Sequence, residues 1–181
     1  MNTNTPLKQS KYQTGFTLVE LGLVLLVVAV IGMFAYSKFM GQNQEVLASQ
    51  ESDNVTTYVS KTKKAYTNDS NFSTVTTDAL RTNGIFPRSM VQGTTVVNNY
   101  QGTVTAAPNT VSNADDSVLF TSTNYTQEGC REIVPKIAAV AQLISVNGTV
   151  VKPLNARLDR VTLGTSCADE DNTVTFVISK N

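Results

Sequence analysis

Glu20 has the most unusual setting of any ionisable residue in this sequence, because it is the one acidic or basic side chain between Phe16 and Tyr36. As a helix, that apolar segment would match the thickness of the hydrocarbon core of a bilayer, about 30 Å. An unpaired carboxylate at depth in a membrane helix costs about 2.5–3.5 kcal/mol. We therefore expect Glu20 to have a binding partner and a role of its own.

Lysines flank the apolar segment: Lys8 and Lys11 precede it and Lys38 follows it. Basic residues ahead of a membrane helix favour a cytoplasmic N-terminus, so the chain from Gly41 onward is predicted to be exported. The residues alone leave two interpretations open, a cleaved secretory signal and a plain single-pass anchor. The apolar run is long for a secretory signal and no Ala-x-Ala site follows it, whereas a plain anchor leaves Glu20 unexplained.

A third interpretation comes from the motif Gly15-Phe16-Thr17-Leu18-Val19-Glu20, which follows a short basic leader and opens the apolar segment. This arrangement resembles the processing site of type IV prepilins, in which a peptidase cuts after the glycine and the new N-terminus is methylated. The resemblance implies cleavage after Gly15 and a methylated amine on Phe16. Because that amine is largely protonated at neutral pH, Glu20 is expected to pair with it in its own subunit or in a neighbour.

Assembly of such helices gains no hydrophobic free energy in lipid, because lipid tails are already apolar. It must draw on close packing, on the pair formed by the Phe16 amine and Glu20, and on contacts between head domains. The resemblance adds the partners: identical subunits, a prepilin peptidase and methyltransferase, and an inner-membrane assembly platform with its motor. The side chains expected to pack in a filament core are Leu21, Leu23, Leu25, Leu26, Val28, Ile31 and Phe34.

The apolar pattern extends beyond the membrane segment. Apolar residues recur at helical steps as far as Tyr66, and no proline occurs between Pro6 and Pro87. We predict one helix from about Phe16 to Tyr66, with its apolar half protruding and its amphipathic half packed on a head domain. The amphipathic stripe comprises Phe39, Met40, Val46, Leu47, Val55, Tyr58, Val59 and Tyr66.

The chain beyond the membrane helix has room for one compact domain. Residues 1–15 are predicted to be a cleaved leader, 16–40 a transmembrane and filament-core helix, and 41–181 a globular head that includes the C-terminal half of the long helix. Periodicity and turn residues predict an antiparallel sheet with short helices in the head, so the fold class is α+β, as in pilins. The predicted head elements are a helix at 76–81, a hairpin of 94–98 with 102–106, a strand at 116–122, a helix at 127–134 that Pro135 either kinks or follows with a second turn-rich segment through Ala141, a hairpin of 143–146 with 149–152, and a strand at 173–179.

The head carries a second resemblance. The motif Asn83-Gly84-Ile85-Phe86-Pro87, with residues 93–98 and 102–105, is similar to the head of type IVb pilins, nearest to the group of enteric bacteria and conjugative plasmids. The length of the leader agrees with type IVb, whereas Phe16 as the first mature residue is more usual of type IVa. The resemblance implies a major pilin that is first held in the bacterial inner membrane, with a cytoplasmic N-terminus. It would then form an extracellular pilus for adhesion, aggregation or conjugative contact.

Cys130 and Cys167 lie in the part predicted to be exported, where redox conditions favour a disulfide. Two cysteines in a sequence without histidine make a poor metal site, and a catalytic thiol would have no histidine to activate it. In the chain-entropy model, the closed loop would contribute about 3–4 kcal/mol to stability. The resemblance implies that this bond delimits region 130–167, which shapes the exterior of the filament.

Two charged clusters each have a functional and a plainer interpretation. Asp169 and Asp171 could ligate calcium, which prefers clustered oxygen ligands, or could belong to a solvated turn before the last strand. Lys61, Lys63 and Lys64 form either a solvated helix face or a contact to acidic residues of the next subunit.

Other function classes find little support in the sequence. The formal charge is zero and becomes negative once the leader lysines are removed, which disfavours direct binding of nucleic acid. A membrane-tethered exported enzyme would need a reactive constellation, but the sequence has no histidine, no Gly-x-Ser-x-Gly and no phosphate-binding loop. No cofactor is expected.

The nearer alternatives are a minor pilin and a type II secretion pseudopilin. The pseudopilin shares the N-terminal signal, and the acidic turn would favour it.

Overall fold

A computed structural model describes the backbone of residues 17–180 and the side chains of residues 17–33 and 44–180. The chain divides into two units, Met1–Phe39 and Met40–Asn181. Several of the residues named above lie outside the described residues: the leader with Gly15, then Phe16, and the side chains of Phe34, Phe39 and Met40.

The first element, helix α1, covers Leu18–Ala65. Thr17 lies immediately before it, and its Oγ1 accepts the backbone N–H of Glu20 at 3.3 Å, which is the hydrogen bond of an N-cap. Lys63 and Lys64 occupy the last turn, where positive charge is favourable at the negative end of the helix dipole. The helix therefore ends within one residue of its predicted end. In the part of the chain that the structure describes, no helix is both long enough and apolar enough to cross a membrane.

The second unit combines an antiparallel sheet with short helices, which confirms the predicted α+β fold. The elements after α1 are α2 (Thr77–Thr82), a 3-10 turn (Arg88–Met90), β1 (Val91–Gln92), β2 (Thr95–Val96), β3 (Val104–Asn109), β4 (Ser117–Tyr125), α3 (Gln127–Ile137), β5 (Leu143–Val146), β6 (Thr149–Lys152), α4 (Arg160–Ser166) and β7 (Asn172–Ser179). The main sheet has the order β3-β4-β7-β5-β6, and β1 pairs with β2 in a separate two-stranded sheet.

Tyr58 packs the C-terminal part of α1 against the sheet. Its ring centroid lies 5.2 Å from that of Phe86, 5.0 Å from that of Phe120 and 6.4 Å from that of Phe176, distances at which aromatic pairs add to the free energy of burial. Of the predicted stripe, Val55, Tyr58, Val59 and Tyr66 are buried, Leu47 is partly buried and Val46 is exposed.

The predicted hairpin of residues 94–98 with 102–106 forms only in part. β2 pairs with β1, β3 pairs with β4, and one isolated bridge joins the two predicted arms. The cause is the side chain of Asn98, whose Oδ1 accepts the backbone N–H groups of Tyr100 at 2.9 Å and Gly102 at 2.8 Å. Residues 98–102 therefore form a tight loop, and all of their N–H groups except that of Asn99 are bonded within it.

Two helices also differ from the predictions. Helix α3 runs through Pro135 to Ile137, so the proline lies within the helix and does not end it. Helix α4 was not predicted; Asp159 caps it by accepting the backbone N–H groups of Val161 at 2.9 Å and Thr162 at 3.1 Å.

The hairpin of β5 and β6 has the predicted strands and turn. Asn147 and Gly148 both have positive φ angles, 50° and 82°, as a two-residue turn of type I′ requires. The caps of α2 are also as predicted, since Thr76 Oγ1 accepts the N–H of Ala79 at 3.0 Å and Gly84 follows the helix with φ of 66°.

Candidate assembly surface

Apolar side chains cover the described N-terminal part of α1, residues 18–33. The exposed fraction of the large ones runs from 45% for Val24 to 88% for Leu18, and Glu20 is the one charged residue among them. Six of the seven predicted packing residues belong to this set, and each is more than half exposed. The set comprises Leu18, Val19, Leu21, Leu23, Val24, Leu25, Leu26, Val27, Val28, Val30, Ile31 and Met33.

Glu20 lies in the first turn of α1 with its side chain exposed. The sequence Thr17-x-x-Glu20 matches a capping box, and the bond from the Glu20 N–H to Thr17 Oγ1 is one half of that motif. A carboxylate in the first turn is also favoured by the positive end of the helix dipole. Thr17 is thus a positioning residue that our sequence reasoning missed, although its spacing to Glu20 could have revealed it.

Loop 98–102 holds α1 at two points along the helix. The hydroxyl of Tyr100 donates to the backbone carbonyl of Gln44 at 3.3 Å, and the N–H of Asn99 donates to Glu51 Oε2 at 3.0 Å. Burial raises the pKa of Glu51, although hydrogen bonds from Asn99 and other neighbours partly oppose the shift. Glu51 was not predicted to be buried, but its spacing of four residues to the buried Val55 places it on the apolar stripe.

Cys130 of α3 and Cys167 at the end of α4 form a disulfide, and both are buried. The bond joins the two ends of region 130–167. Gln127 reinforces this junction, because its Nε2 donates to the carbonyl of Cys167 at 3.3 Å and to Asp169 Oδ1 at 3.1 Å.

Asn172, which is fully buried, organises the chain just beyond the disulfide. Its Nδ2 donates to the carbonyls of Tyr125 and Ala168, each at 2.9 Å. Its Oδ1 accepts the Ala168 N–H at 2.6 Å and the Nδ2 of Asn147 at 2.8 Å. Because a buried amide is stable only when it is hydrogen-bonded, these contacts fix the β5–β6 turn to the start of β7.

Asp169 and Asp171 lie exposed in the turn that these contacts hold. Within residues 17–33 and 44–180, no group of three or more His, Cys, Asp or Glu side chains is placed to hold a metal ion. The calcium site at Asp169 and Asp171 stays a prediction. Among the predicted lysines, Lys61 donates from Nζ to the carbonyl of Gly84 at 3.2 Å within its own chain.

Residues 45–179 match the sequence profile of the family described as PilS N terminal, which is most of the chain. This chain belongs to that family of type IV pilins. It is also similar to the type IVb pilin of Salmonella typhi, whose crystal structure matches with a TM-score of 0.57 and 17% sequence identity over 71% of this chain and 97% of that one. The predicted resemblance to type IVb pilins is thereby confirmed at the level of the fold.

A further structural match is TcpA, a type IV pilin from Vibrio cholerae El Tor biotype, with a TM-score of 0.49 and 17% identity over 76% of this pilin and 99% of TcpA. No curated protein sequence matches the chain. Membership of the pilin family makes the protein a structural subunit and not an enzyme.

Proposed function

We propose that this pilin is the major subunit of a type IV pilus. The precursor would sit in the bacterial inner membrane with its N-terminus in the cytoplasm and be cut after Gly15. The mature chain would then be methylated on Phe16 and polymerised with identical copies into a surface filament. The observation that carries this proposal is the apolar, exposed surface of residues 18–33.

The apolar surface of residues 18–33 must be buried against lipid or protein. Monomeric soluble proteins rarely expose apolar patches larger than a few hundred Å², and a helix that is apolar all round belongs in a membrane or in the interior of an assembly. Lipid would cover these side chains in the membrane, and identical helices would cover the same side chains in the filament. Residues 16–40 would therefore serve first as a transmembrane helix and then as the filament core, with 41–181 as the head.

The proposed chemistry centres on Glu20. Once cleavage has created an amine on Phe16, Glu20 is the complementary charge in residues 16–36. Pairing with the amine of a neighbouring copy would neutralise both groups in an apolar surrounding, where an unpaired charge is costly. The N-cap contact with Thr17 supports this role, because it fixes the turn that carries Glu20.

The proposal requires a prepilin peptidase and methyltransferase, an assembly platform and a motor. Removal of the leader lysines would make the helix easier to withdraw from lipid, but no hydrophobic gain drives that withdrawal.

On the assembled pilus, region 130–167 with its disulfide would form much of the exposed surface. That surface would mediate adhesion, aggregation or conjugative contact.

Two related functions are the alternatives. A pseudopilin of a type II secretion system would build a short piston, and the exposed acidic turn at Asp169 and Asp171 favours it. A minor pilin would lie at one position of the filament.

Immunogold electron microscopy of expressing cells tests the proposal. Long surface fibres labelled along their length are expected, whereas the absence of fibres, or label confined to the tips, would contradict it.

A further inference from the structure

A polar cleft with a volume of about 590 Å³ lies in the second unit, and none of its lining residues belongs to α1. It is formed by the turn that contains Ser70 and Asn71, the loop at residues 111–116, and Asn155. Its volume falls in the range of about 300–1,000 Å³ that is typical of sites for small ligands. Nothing in the proposed assembly of the filament uses these residues.

Side chains around the cleft have unused hydrogen-bonding capacity. In the described part of the chain, the side chains of Ser112, Asn113 and Asn155 make no hydrogen bond, and Asn71 uses only its Oδ1, which binds Ser73. Each amide offers two donors and an acceptor. The wall of the cleft can therefore pair with a ligand that presents both donors and acceptors.

The wall is also held in place without a ligand. The Asp116 carboxylate accepts the backbone N–H groups of Val111, Ser112 and Asn113, each at 2.8 Å. These bonds lower the pKa of Asp116, with the Asn113 bond contributing most. Beside it, the carbonyl of Asp115 accepts the N–H of Phe72 at 2.7 Å. A pre-organised wall loses less conformational entropy when a ligand binds.

One negative and one positive side chain line the cleft, those of Asp116 and Lys180, and their formal charges cancel. The Lys180 ammonium already donates to the carbonyl of Asp69 and lies 5.5 Å from the centroid of the Phe72 ring, while Asp116 would repel an anion. With one carboxylate and one ammonium, the lining has no net charge to attract an anion or a cation. Only Val111 and Leu154 supply large apolar surface to the cleft, whereas sites for drug-like ligands are mostly apolar.

We propose that this cleft binds a neutral saccharide, whose adjacent hydroxyl groups pair with the amides of Asn113 and Asn155. A sugar is the common ligand class that is uncharged and rich in groups that both donate and accept hydrogen bonds. The cleft belongs to a single chain, so binding does not depend on polymerisation. If the pilin forms the proposed filament, repetition of the site would raise the avidity for a glycan-covered surface by multivalency.

The test uses the full chain in detergent micelles, labelled with nitrogen-15. Methyl α-mannoside, methyl β-galactoside and N-acetylglucosamine are titrated in turn, and amide resonances are followed by NMR. We expect at least one sugar to shift the signals of Ser112, Asn113 and Asn155 in a saturable manner. The double variant Asn113→Ala, Asn155→Ala should bind that sugar about tenfold more weakly, since each lost hydrogen bond contributes modestly.

The control variant is Asn83→Ala, because Asn83 is exposed and lies outside the cleft; it should bind like the parent. Absence of saturable shifts with all three sugars overturns the proposal, as does equal binding by the double variant. Shifts produced by a neutral tripeptide but by none of the sugars would also overturn it, and would assign the cleft to peptides. Fibre formation by the double variant should be normal, which separates this test from that of the proposed function.

Discussion

Asn99 donates its backbone N–H to Glu51 Oε2 at 3.0 Å, and this hydrogen bond joins loop 98–102 to the buried face of α1. Glu51 is fully buried, and its Oε1 has no hydrogen-bond partner among the described residues. Burial raises its pKa, and a negative Glu51 contributes in turn to the raised pKa values of Tyr58 and Tyr125, behind the larger effect of their own burial. The buried carboxyl group of Glu51 thus has a pKa above its ordinary range.

This raised pKa predicts that Glu51 contributes less to the stability of the head as the pH rises. In the unfolded chain Glu51 ionises near its ordinary pKa of about 4.3, whereas in the folded chain it keeps its proton to a higher pH. The contribution of Glu51 to the free energy of unfolding should therefore be greatest below the unfolded-state pKa and fall until the pH passes the folded-state pKa. Glu51→Gln should remove this contribution, which urea unfolding across that pH window would measure.

The matched control is Glu45→Gln, since Glu45 lies exposed on the same helix. It should keep the pH dependence of the parent. If Glu51→Gln and the parent lose stability equally with rising pH, Glu51 is already ionised in the folded head and our account of it is wrong.

We predict that position 129 must be glycine, because a larger residue there would collide with the Tyr100 ring. A Cβ atom at Gly129 would lie 2.5 Å from Tyr100 Cε1, so Gly129→Ala should displace a ring that packs on Tyr125 and donates to the Gln44 carbonyl. Overpacking of this kind costs about 1–3 kcal/mol. Urea unfolding should show that loss.

Gly164→Ala in α4 is its control, because a Cβ atom there meets nothing within 4 Å. Replacing a helical glycine by alanine without strain should stabilise the head by about 0.4–1 kcal/mol. An equal loss of stability in both variants would show that the space around Gly129 has no special role.

The disulfide should contribute most of its stabilisation through the unfolded state. Cys130 and Cys167 are 37 residues apart in sequence, for which the chain-entropy model gives about 4 kcal/mol. The double variant Cys130→Ala, Cys167→Ala should unfold at a correspondingly lower urea concentration and be cut faster by protease within region 130–167. Two free thiols in the exported parent, detected by mass spectrometry without reductant, would contradict the bond itself.

Glu20→Ala is predicted to insert into the membrane normally but to give far fewer fibres. The substitution removes the charge that we expect to pair with the amine of Phe16, and it removes no apolar packing. Membrane fractionation and the amount of pilin in sheared fibres would separate the two steps. Glu45→Ala, an acidic residue of the same helix, should leave the fibre yield unchanged. A normal yield from Glu20→Ala would argue against the amine pairing.

Local signals in the sequence predicted part of this fold well. The turn at Asn147-Gly148 demands positive φ at both residues and so fixed the β5–β6 hairpin. Thr76 and Gly84 likewise marked the ends of α2. Such elements could be predicted because the information for each lies within a few residues.

Contacts between distant residues were not predictable in this way. Asn98 binds backbone groups of its own loop, where the two predicted arms pair only at one bridge, and Asn172 binds four groups from three segments. Glu51 was passed over because a charged residue is normally exposed, although its spacing to Val55 is that of the buried stripe. The proposed sugar cleft depends on residues from separate loops, and no single motif announces it.

Mass spectrometry of fibres sheared from the cell surface tests the central claim most directly. We predict an abundant chain that begins at Phe16, with a methylated N-terminal amine and an intact Cys130–Cys167 bond. A chain that retains residues 1–15, or that is abundant in cells but absent from the sheared fraction, would contradict the claim that this pilin is processed and polymerised into a pilus.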